Sequence, residues 1–526
     1  VGYIGLVVSA LFLWMGCASQ GNLTGGPKDV TPPRLDSLQS TTNMQTNFIP
    51  EGVVLHFDEY INLKDPNKQI IISPPLTYLP QFKIRGKTLT VRWNEKEVLK
   101  QDLTYTIQFG DAIQDFTENN ILKDFKFIFA TGPQIDSMVL EGKVVDAVTQ
   151  KAAEGITVML HIGMEDSTIL KDKPYYFAKT DKEGKYKIEN IKKASYKLSC
   201  IKDENLNFLY NEGVDAIGFD VNGVDFSNDS IRILTRDLEV SPPVIPIKLP
   251  NLAHPFPGVL KGKFNQKPNR PLQISTSLGE KASHEVFQDS IYIWYKFPQD
   301  SFLVRVEADS FRIGAPKSLK NPFAKSLKLQ SGRSIRSVDT IMIAWPFPID
   351  SFDVSSVKIR LDSTQTMGIR SRFLVPSRRR LALLLEQPSP AKYTIQVDSA
   401  AIRDVYGNVN QAFVDGFEII SPEKLATIDF SFEGLDSSKI YQVSIKEGDR
   451  VLRSFSLQGV STHRLLLSEL WPVAHSVEIL EDTNGNGYWD AANYWQKVPA
   501  EKIKKFPLEK LRENWTLEAK INWLSE

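Results

Sequence analysis

The chain has 526 residues, 42% hydrophobic and 24% charged, an ordinary composition for a folded protein and enough length for roughly three to five domains of about 100–200 residues. Its 63 Lys and Arg balance 63 Asp and Glu, so no global field steers it onto nucleic acid or anionic lipid. Two cysteines, Cys17 and Cys200, exclude a disulfide framework or a cysteine zinc cluster, and none of the six histidines stands at i, i+4 from another, which excludes an HExxH-type metal site.

Residues 1–16, VGYIGLVVSALFLWMG, are almost wholly apolar. The run falls short of the about 20 residues that a membrane helix needs and fits the h-region of a secretory signal. The chain opens on Val1 with no basic segment before the run, so the signal is expected to begin upstream. Leu13-Trp14-Met15-Gly16-Cys17 resembles a bacterial lipobox, although Trp14 and Met15 depart from its usual residues. The sequence turns polar directly afterwards, so Cys17 is expected to be the acylated residue. Ala18 follows it where an Asp would favour inner-membrane retention, which points to the outer membrane. Residues 17–33 then read as the lipidated Cys and a flexible Gly/Pro/Ser/Thr tether that reaches roughly 20 Å.

From Leu35 on, Val, Ile, Phe, Tyr and Thr cluster in short runs broken by Gly, Pro, Asn and Asp. No sustained 3.6-residue period appears, and many short strands imply tandem β-sandwiches. The first domain spans 31–132, with strands near 52–57, 69–72, 88–93 and 104–109. The second spans 138–249, with a tight Asp181-Lys182-Glu183-Gly184 turn before an alternating strand. The third, 251–329, has its clearest strands at 291–295 and 302–306. The fourth, 331–421, repeats the first: Tyr105-Thr106-Ile107-Gln108 recurs as Tyr393-Thr394-Ile395-Gln396, Val53-Val54-Leu55-His56-Phe57 parallels Ile341-Met342-Ile343-Ala344-Trp345 at the same offset, and Asp115 and Asp404 follow in equivalent loops. Arg378-Arg379-Arg380 lies between two of its strands and reads as a solvated turn. The last domain spans 425–526, with a short helix expected over 501–511.

These features resemble the Ig-like-domain lipoproteins of Bacteroidota. Gly25-Gly26-Pro27-Lys28-Asp29 with Pro32-Pro33 looks like that family's leader, and the first domain looks like its bacterial Ig-like domain. Residues 140–200 are similar to the carboxypeptidase-regulatory-like, transthyretin-type sandwich. Asp482-Thr483-Asn484-Gly485-Asn486-Gly487-Tyr488-Trp489-Asp490 is similar to its C-terminal signature. The resemblance implies an all-β fold of tandem Ig-like and transthyretin-like sandwiches, a cell-envelope location, often the outer surface, and no known catalysis. Asp36-Ser37-Leu38, Asp136-Ser137-Met138, Asp289-Ser290-Ile291 and Asp339-Thr340-Ile341 resemble the O-glycosylation triplet of this bacterial group, and equally read as strand-entry turns.

Function is expected to be non-catalytic: an outer-membrane interaction or scaffold component, with an outer-membrane protein such as a β-barrel as partner and no nucleic acid. The alternative is a surface glycan- or ligand-binding protein using aromatic platforms at Trp294/Tyr295 or Tyr488/Trp489/Tyr494/Trp495. Asp58 and Glu59 are strand neighbours facing opposite ways, a poor acid/base couple, and no nucleophile elbow, Walker loop or dinucleotide fingerprint is present. The one metal-like pattern is EF-hand-like, with Asp482, Asn484 and Asn486 at positions one, three and five and Gly487 at the sharp turn. The Tyr488 carbonyl is at seven, Asp490 at nine, and Asn493 stands where a bidentate Glu belongs. It implies weak calcium binding, or a plain Asx turn that needs no metal.

Overall fold

The computed structural model describes residues 28–49, 51–163, 165–228, 232–256, 258–279, 282–296, 301–314, 327–361, 365–374 and 378–525. Cys17, the apolar leader and most of the tether lie outside the described residues. The part of the tether that is described, from Lys28 on, lies on the first domain, where Asn120 donates to the Asp29 carbonyl and the Asp58 carboxylate accepts the Arg34 N–H.

The fold is all-β, with 47% strand and 3% helix. The first domain has three small sheets. Val53–His56, Thr88–Arg92 and Gln81–Arg85 form one; Ile71–Ser73, Thr104–Gln108 and Lys126–Ala130 form the second; Ile61–Leu63 pairs with Ile113–Asp115 in the third. Alternate residues of these strands, among them Val53, Leu55, Leu89, Val91, Ile107 and Phe127, fill the core. The same plan recurs over residues 327–419. Ile341–Ala344, Arg380–Leu385 and Ile369–Leu374 stand for the first sheet, Val357–Leu361, Ala391–Val397 and Phe413–Ile419 for the second, and Ile349–Phe352 with Ile402–Asp404 for the third. The shared Tyr-Thr-Ile-Gln lies in the central strand of both second sheets. Asp115 and Asp404 each end the last short strand, buried. Asp115 caps the N–H groups of Thr117, Glu118, Asn119 and Asn120. Asp404 caps those of Tyr406 and Asn408 and takes the Trp345 indole N–H.

The second domain packs the sheet Tyr176–Lys179, Thr157–His161, Ser195–Ile201, Ile217–Phe219 against Lys185–Ile191, Met138–Asp146 and Ile233–Thr235. Its Asp181–Lys185 turn needs glycine. Gly184 has φ +74°, and a Cβ there would lie 2.5 Å from the Val144 carbonyl oxygen. Gly184→Ala is therefore expected to cost about 2 kcal/mol, read as a lower urea midpoint; a midpoint equal to the parent's would show that the strand pair yields freely.

In the third domain Ser290–Tyr295 is used on both faces. Ile291, Ile293 and Tyr295 enter that domain's core, whereas Trp294 faces the fourth domain and joins its core. The last domain pairs Ala426–Glu433 with His463–Leu470 and, in parallel, with Thr516–Asn522. Its second sheet runs Arg450–Gln458, Ile440–Glu447, His475–Asp482, Ile503–Pro507. The helix expected over 501–511 is thus a strand in its first half. Ile503 and Phe506 pair with Leu480 and Val477, and Pro507, which a helix interior rejects, sits at its end.

Candidate functional site

Asp482 closes its strand with a buried carboxylate. One oxygen accepts the N–H groups of Gly485 (2.7 Å) and Asn486 (3.1 Å), the other that of Gly487 (2.8 Å) and the Gln442 amide (2.9 Å). Burial pushes its pKa up, but these donors outweigh burial and hold it below the ordinary carboxylate range. The Asn484 and Asn486 amides both lie 2.6 Å from one Asp490 oxygen, and the Asn486 side-chain oxygen accepts the Tyr488 N–H. Asn493 is engaged elsewhere: it pairs with Val498 and its side chain accepts the Gln496 N–H. Of the six expected ligands, Asp482, Asn484, Asn486 and Asp490 are therefore gathered in one turn, with Tyr488 bonded to it through its backbone, while Asn493 is not. Buried Glu501 completes the loop. Its carboxylate accepts the Thr483 N–H and hydroxyl and the Asp490 N–H, and its carbonyl takes the Trp489 indole.

Beyond Asp490 the loop leaves its own domain and docks on the second. Ala492 N–H donates to Ser241 Oγ at 3.0 Å. Tyr494, 3% exposed, packs its ring edge-on against Phe219 at 5.4 Å and beside Tyr210 at 6.2 Å. Its hydroxyl donates to the Asp166 carbonyl and accepts from Lys197. Lys497 and Lys197 both pair with the Asp166 carboxylate and hold its pKa down. The Trp495 indole reaches Glu212.

The other junctions are also built from long-range pairs. Between the first and second domains, Lys126 meets Glu189, Asn190 reaches Thr106, and Lys100 lies 3.7 Å from the Tyr175 ring centre. Between the third and fourth, Arg379 and Arg380 both grip the buried Glu285 at 3.1 and 2.6 Å, Arg379 stacks 5.0 Å over Trp294, and Tyr406 donates to the Gly258 carbonyl. A cleft of about 490 Å³ opens beside this cluster. Between the fourth and last, Arg336 reaches the Glu469 carbonyl and Ser337 its carboxylate. Two expectations are corrected here. The Arg378–Arg380 run is a solvated turn only at Arg378, because Glu285 draws the next two guanidinium groups into a domain junction. Trp294 and Tyr295, 3% and 1% exposed, make no surface platform, because one seals the junction and the other fills a core.

Residues 29–131 match the bacterial Ig-like domain family. No curated protein matches the chain. Among solved structures it is similar to the N-terminal part of the bacterial S-layer protein SbsC (9% identity, 35% of this chain and 43% of that chain, TM-score 0.18). It is also similar to the longer SbsC fragment rSbsC(31-844) (12%, 90% and 67%, TM-score 0.17) and to the Bacillus anthracis TIE protein (10%, 95% and 76%, TM-score 0.12). The chain thus spans less than half of the first of these, and such TM-scores define no common arrangement of domains.

In the Ig-like domain, Asp58 is spent on the Arg34 N–H, and burial together with the charges of Asp115 and Asp58 raises the pKa of Glu59. Among the described residues no cluster of three or more His, Cys, Asp or Glu could hold a metal; residues 482–490 supply two carboxylates, and Glu501, which closes the turn, is spent on Thr483 and Asp490. Cys200 is fully buried, its thiol pushed up to about 12 by burial. Of the glycosylation triplets, Ser37 and Ser137 are exposed, whereas Ser290 and Thr340 are half-buried.

His161 is buried in the second domain. Its Nε2 lies 3.2 Å from the Asp172 carbonyl and its Nδ1 has no partner among the described residues. Burial first, and the Lys197 charge second, overcome the Asp172 hydrogen bond and push the imidazole down to about 4. The fold therefore takes the neutral ring. Above the unfolded value of about 6.5, stability is complete; as pH falls from there towards 4 the unfolded chain binds a proton that the fold refuses, costing roughly 3 kcal/mol in all. His161→Phe is expected to flatten this stretch of the stability–pH curve. An equal slope in parent and variant would assign the loss to other groups.

Proposed function

We propose that the chain is a non-catalytic envelope lipoprotein, anchored through Cys17 in the outer membrane, that serves as an interaction or scaffold component for an outer-membrane protein such as a β-barrel. The observation that carries this reading is how the all-β domains are joined. Ion pairs, buried aromatics and a returning loop fasten each to another, so the chain presents a composite surface rather than a string of independent beads. Several side chains that could do chemistry are spent on structure: Asp115, Asp404 and Asp482 cap backbone, and His161 and Cys200 are buried. The lipobox-like segment and the Ig-like domain support the envelope location.

The test is affinity purification of the tagged full chain from detergent-solubilised membranes, with alkyne fatty-acid labelling of Cys17→Ala alongside. A stoichiometric barrel partner and loss of label are expected. A monomer without partner would sink the scaffold role, and label persisting in the variant would sink the anchor.

A second reading concerns the Asp482 turn alone: we infer that calcium orders it. Asn484 and Asn486 converge on the Asp490 carboxylate at 2.6 Å, and either amide turned about its terminal torsion presents oxygen instead of nitrogen. Two carboxylates imply affinity near 10⁻⁴–10⁻³ M. Millimolar calcium is expected to raise the melting temperature of the full chain over chelator, and Asp490→Ala to abolish the difference. No calcium effect on the parent would leave a plain Asx turn.

A further inference from the structure

A second hollow, of about 420 Å³, lies between the Ig-like domain and the second domain, within the range of small-molecule sites. Its walls are apolar: Ile70, Leu76 and Phe82 come from one side, Phe177 and Phe208 from the other, the last two rings 4.5 Å apart. Two further apolar side chains that line it are left in water, Leu79 (78% exposed) and Leu206 (46%). Every charged residue that lines it is a lysine: Lys68, Lys173 and Lys179.

The apolar rim is held in place at a cost. Leu206 and Phe208 both stand in the left-handed region, at φ +57° and +60°, which bulky side chains avoid. The Asp203 carboxylate pins that turn by accepting the Asn207 and Phe208 N–H groups. Across the hollow, Glu97 accepts the Thr77 and Tyr78 N–H groups and Lys173 donates to the Leu76 carbonyl, fixing the segment that carries Leu79. Both rims thus spend polar contacts to keep leucines exposed over an apolar floor.

We propose that this hollow binds a single-chain fatty carboxylate, with its apolar chain on the Ile70–Phe208 floor and its head drawn to the lysines that line it. Charge selects the class: three ammonium groups and no carboxylate line a mostly apolar site, so an anionic amphiphile is matched and a cationic one repelled. The sheet edges argue against an added peptide strand. The hollow runs between two edge strands, Ile71–Ser73 and Tyr176–Lys179, but the Phe177 N–H is already taken by Ser73 Oγ. An occupant there gains side-chain contacts and charge pairing more than a β-ladder.

Calorimetric titration of the full chain with dodecanoate below its micelle concentration tests this, with dodecyltrimethylammonium, an acidic apolar peptide and phosphatidylglycerol vesicles as comparators. Saturable one-to-one binding of dodecanoate is expected, at least tenfold tighter than the cation. The triple variant Lys68→Ala, Lys173→Ala, Lys179→Ala is expected to weaken it tenfold or more. Leu206→Asn, which suits the left-handed backbone, is expected to weaken it several-fold while the melting temperature holds or rises. The proposal is overturned if the cation binds equally, if only the peptide or the vesicles bind, or if both variants keep the parent's affinity. None of these outcomes bears on the scaffold role, which is read from the membrane partner.

Discussion

Glu285→Ala is expected to destabilise the junction of the third and fourth domains by about 3 kcal/mol. Glu285 is buried and serves two guanidinium groups at once, Arg379 at 3.1 Å and Arg380 at 2.6 Å. Removing one partner of a buried ion pair leaves the other charges partly desolvated without their counter-ion, a loss of about 3–5 kcal/mol. The lower end applies because the two arginine side chains keep 27% and 33% of their exposure. Removal also leaves two like charges without the carboxylate they share. Burial and Arg380 already act to lower the pKa of Arg379 against the pull of Glu285, so the carboxylate is what reconciles the pair. Trp294, under the Arg379 guanidinium, supplies the fluorescence probe for denaturant unfolding. Arg379→Met with Glu285→Gln should recover part of the loss, since it removes charge from both sides. A cost under about 1 kcal/mol for Glu285→Ala would mark the cluster as an ordinary surface pair.

How much of this was legible in the sequence follows from range. Strands announce themselves locally, and alternating runs such as Tyr393-Thr394-Ile395-Gln396 carry their burial pattern within a few residues, so the all-β fold could be read. The Asp482 turn is local too, and Asp482, Asn484, Asn486 and Asp490 do gather. Asn493 does not, because the loop has by then begun to follow the surface of another domain. Glu501, which closes the turn from 18 residues beyond Thr483, lies outside any loop template. The triple arginine misled because three adjacent charges look like solvent, while the carboxylate that claims two of them stands 94 and 95 residues away. Trp294 and Tyr295 misled in the same way: a strand with cores on both faces buries both, and composition alone cannot tell a double-sided strand from an exposed one. Residues 501–511 were expected to form a short helix, yet Ile503 and Phe506 are claimed by the edge of a sheet.

Tyr494→Ala is expected to loosen the last domain from the second, at a cost of about 3–5 kcal/mol, the usual range for deleting a buried aromatic ring. Tyr494 is nearly fully buried although it belongs to a loop, and what buries it is the second domain: Phe219 and Tyr210 meet its ring, and Lys197 lies 5.9 Å from its centre. Burial, with the Asp166 charge, pushes its hydroxyl up to about 12, so it acts as a neutral donor to the Asp166 carbonyl. Tyr494→Phe keeps the ring and loses that hydrogen bond, so it should cost only about 1 kcal/mol. Trp495→Ala, next door but 45% exposed, should cost less than Tyr494→Ala. The loss belongs to a contact between domains, so it should be read locally as well as globally. Hydrogen exchange is expected to quicken at 207–219 in the second domain and at 489–500 in the loop, while the strand Ile440–Glu447 keeps its protection. Unchanged exchange at 207–219 in Tyr494→Ala would mean that the docked loop contributes nothing to holding the two domains together, and the composite surface on which the scaffold reading rests would lose its strongest seam.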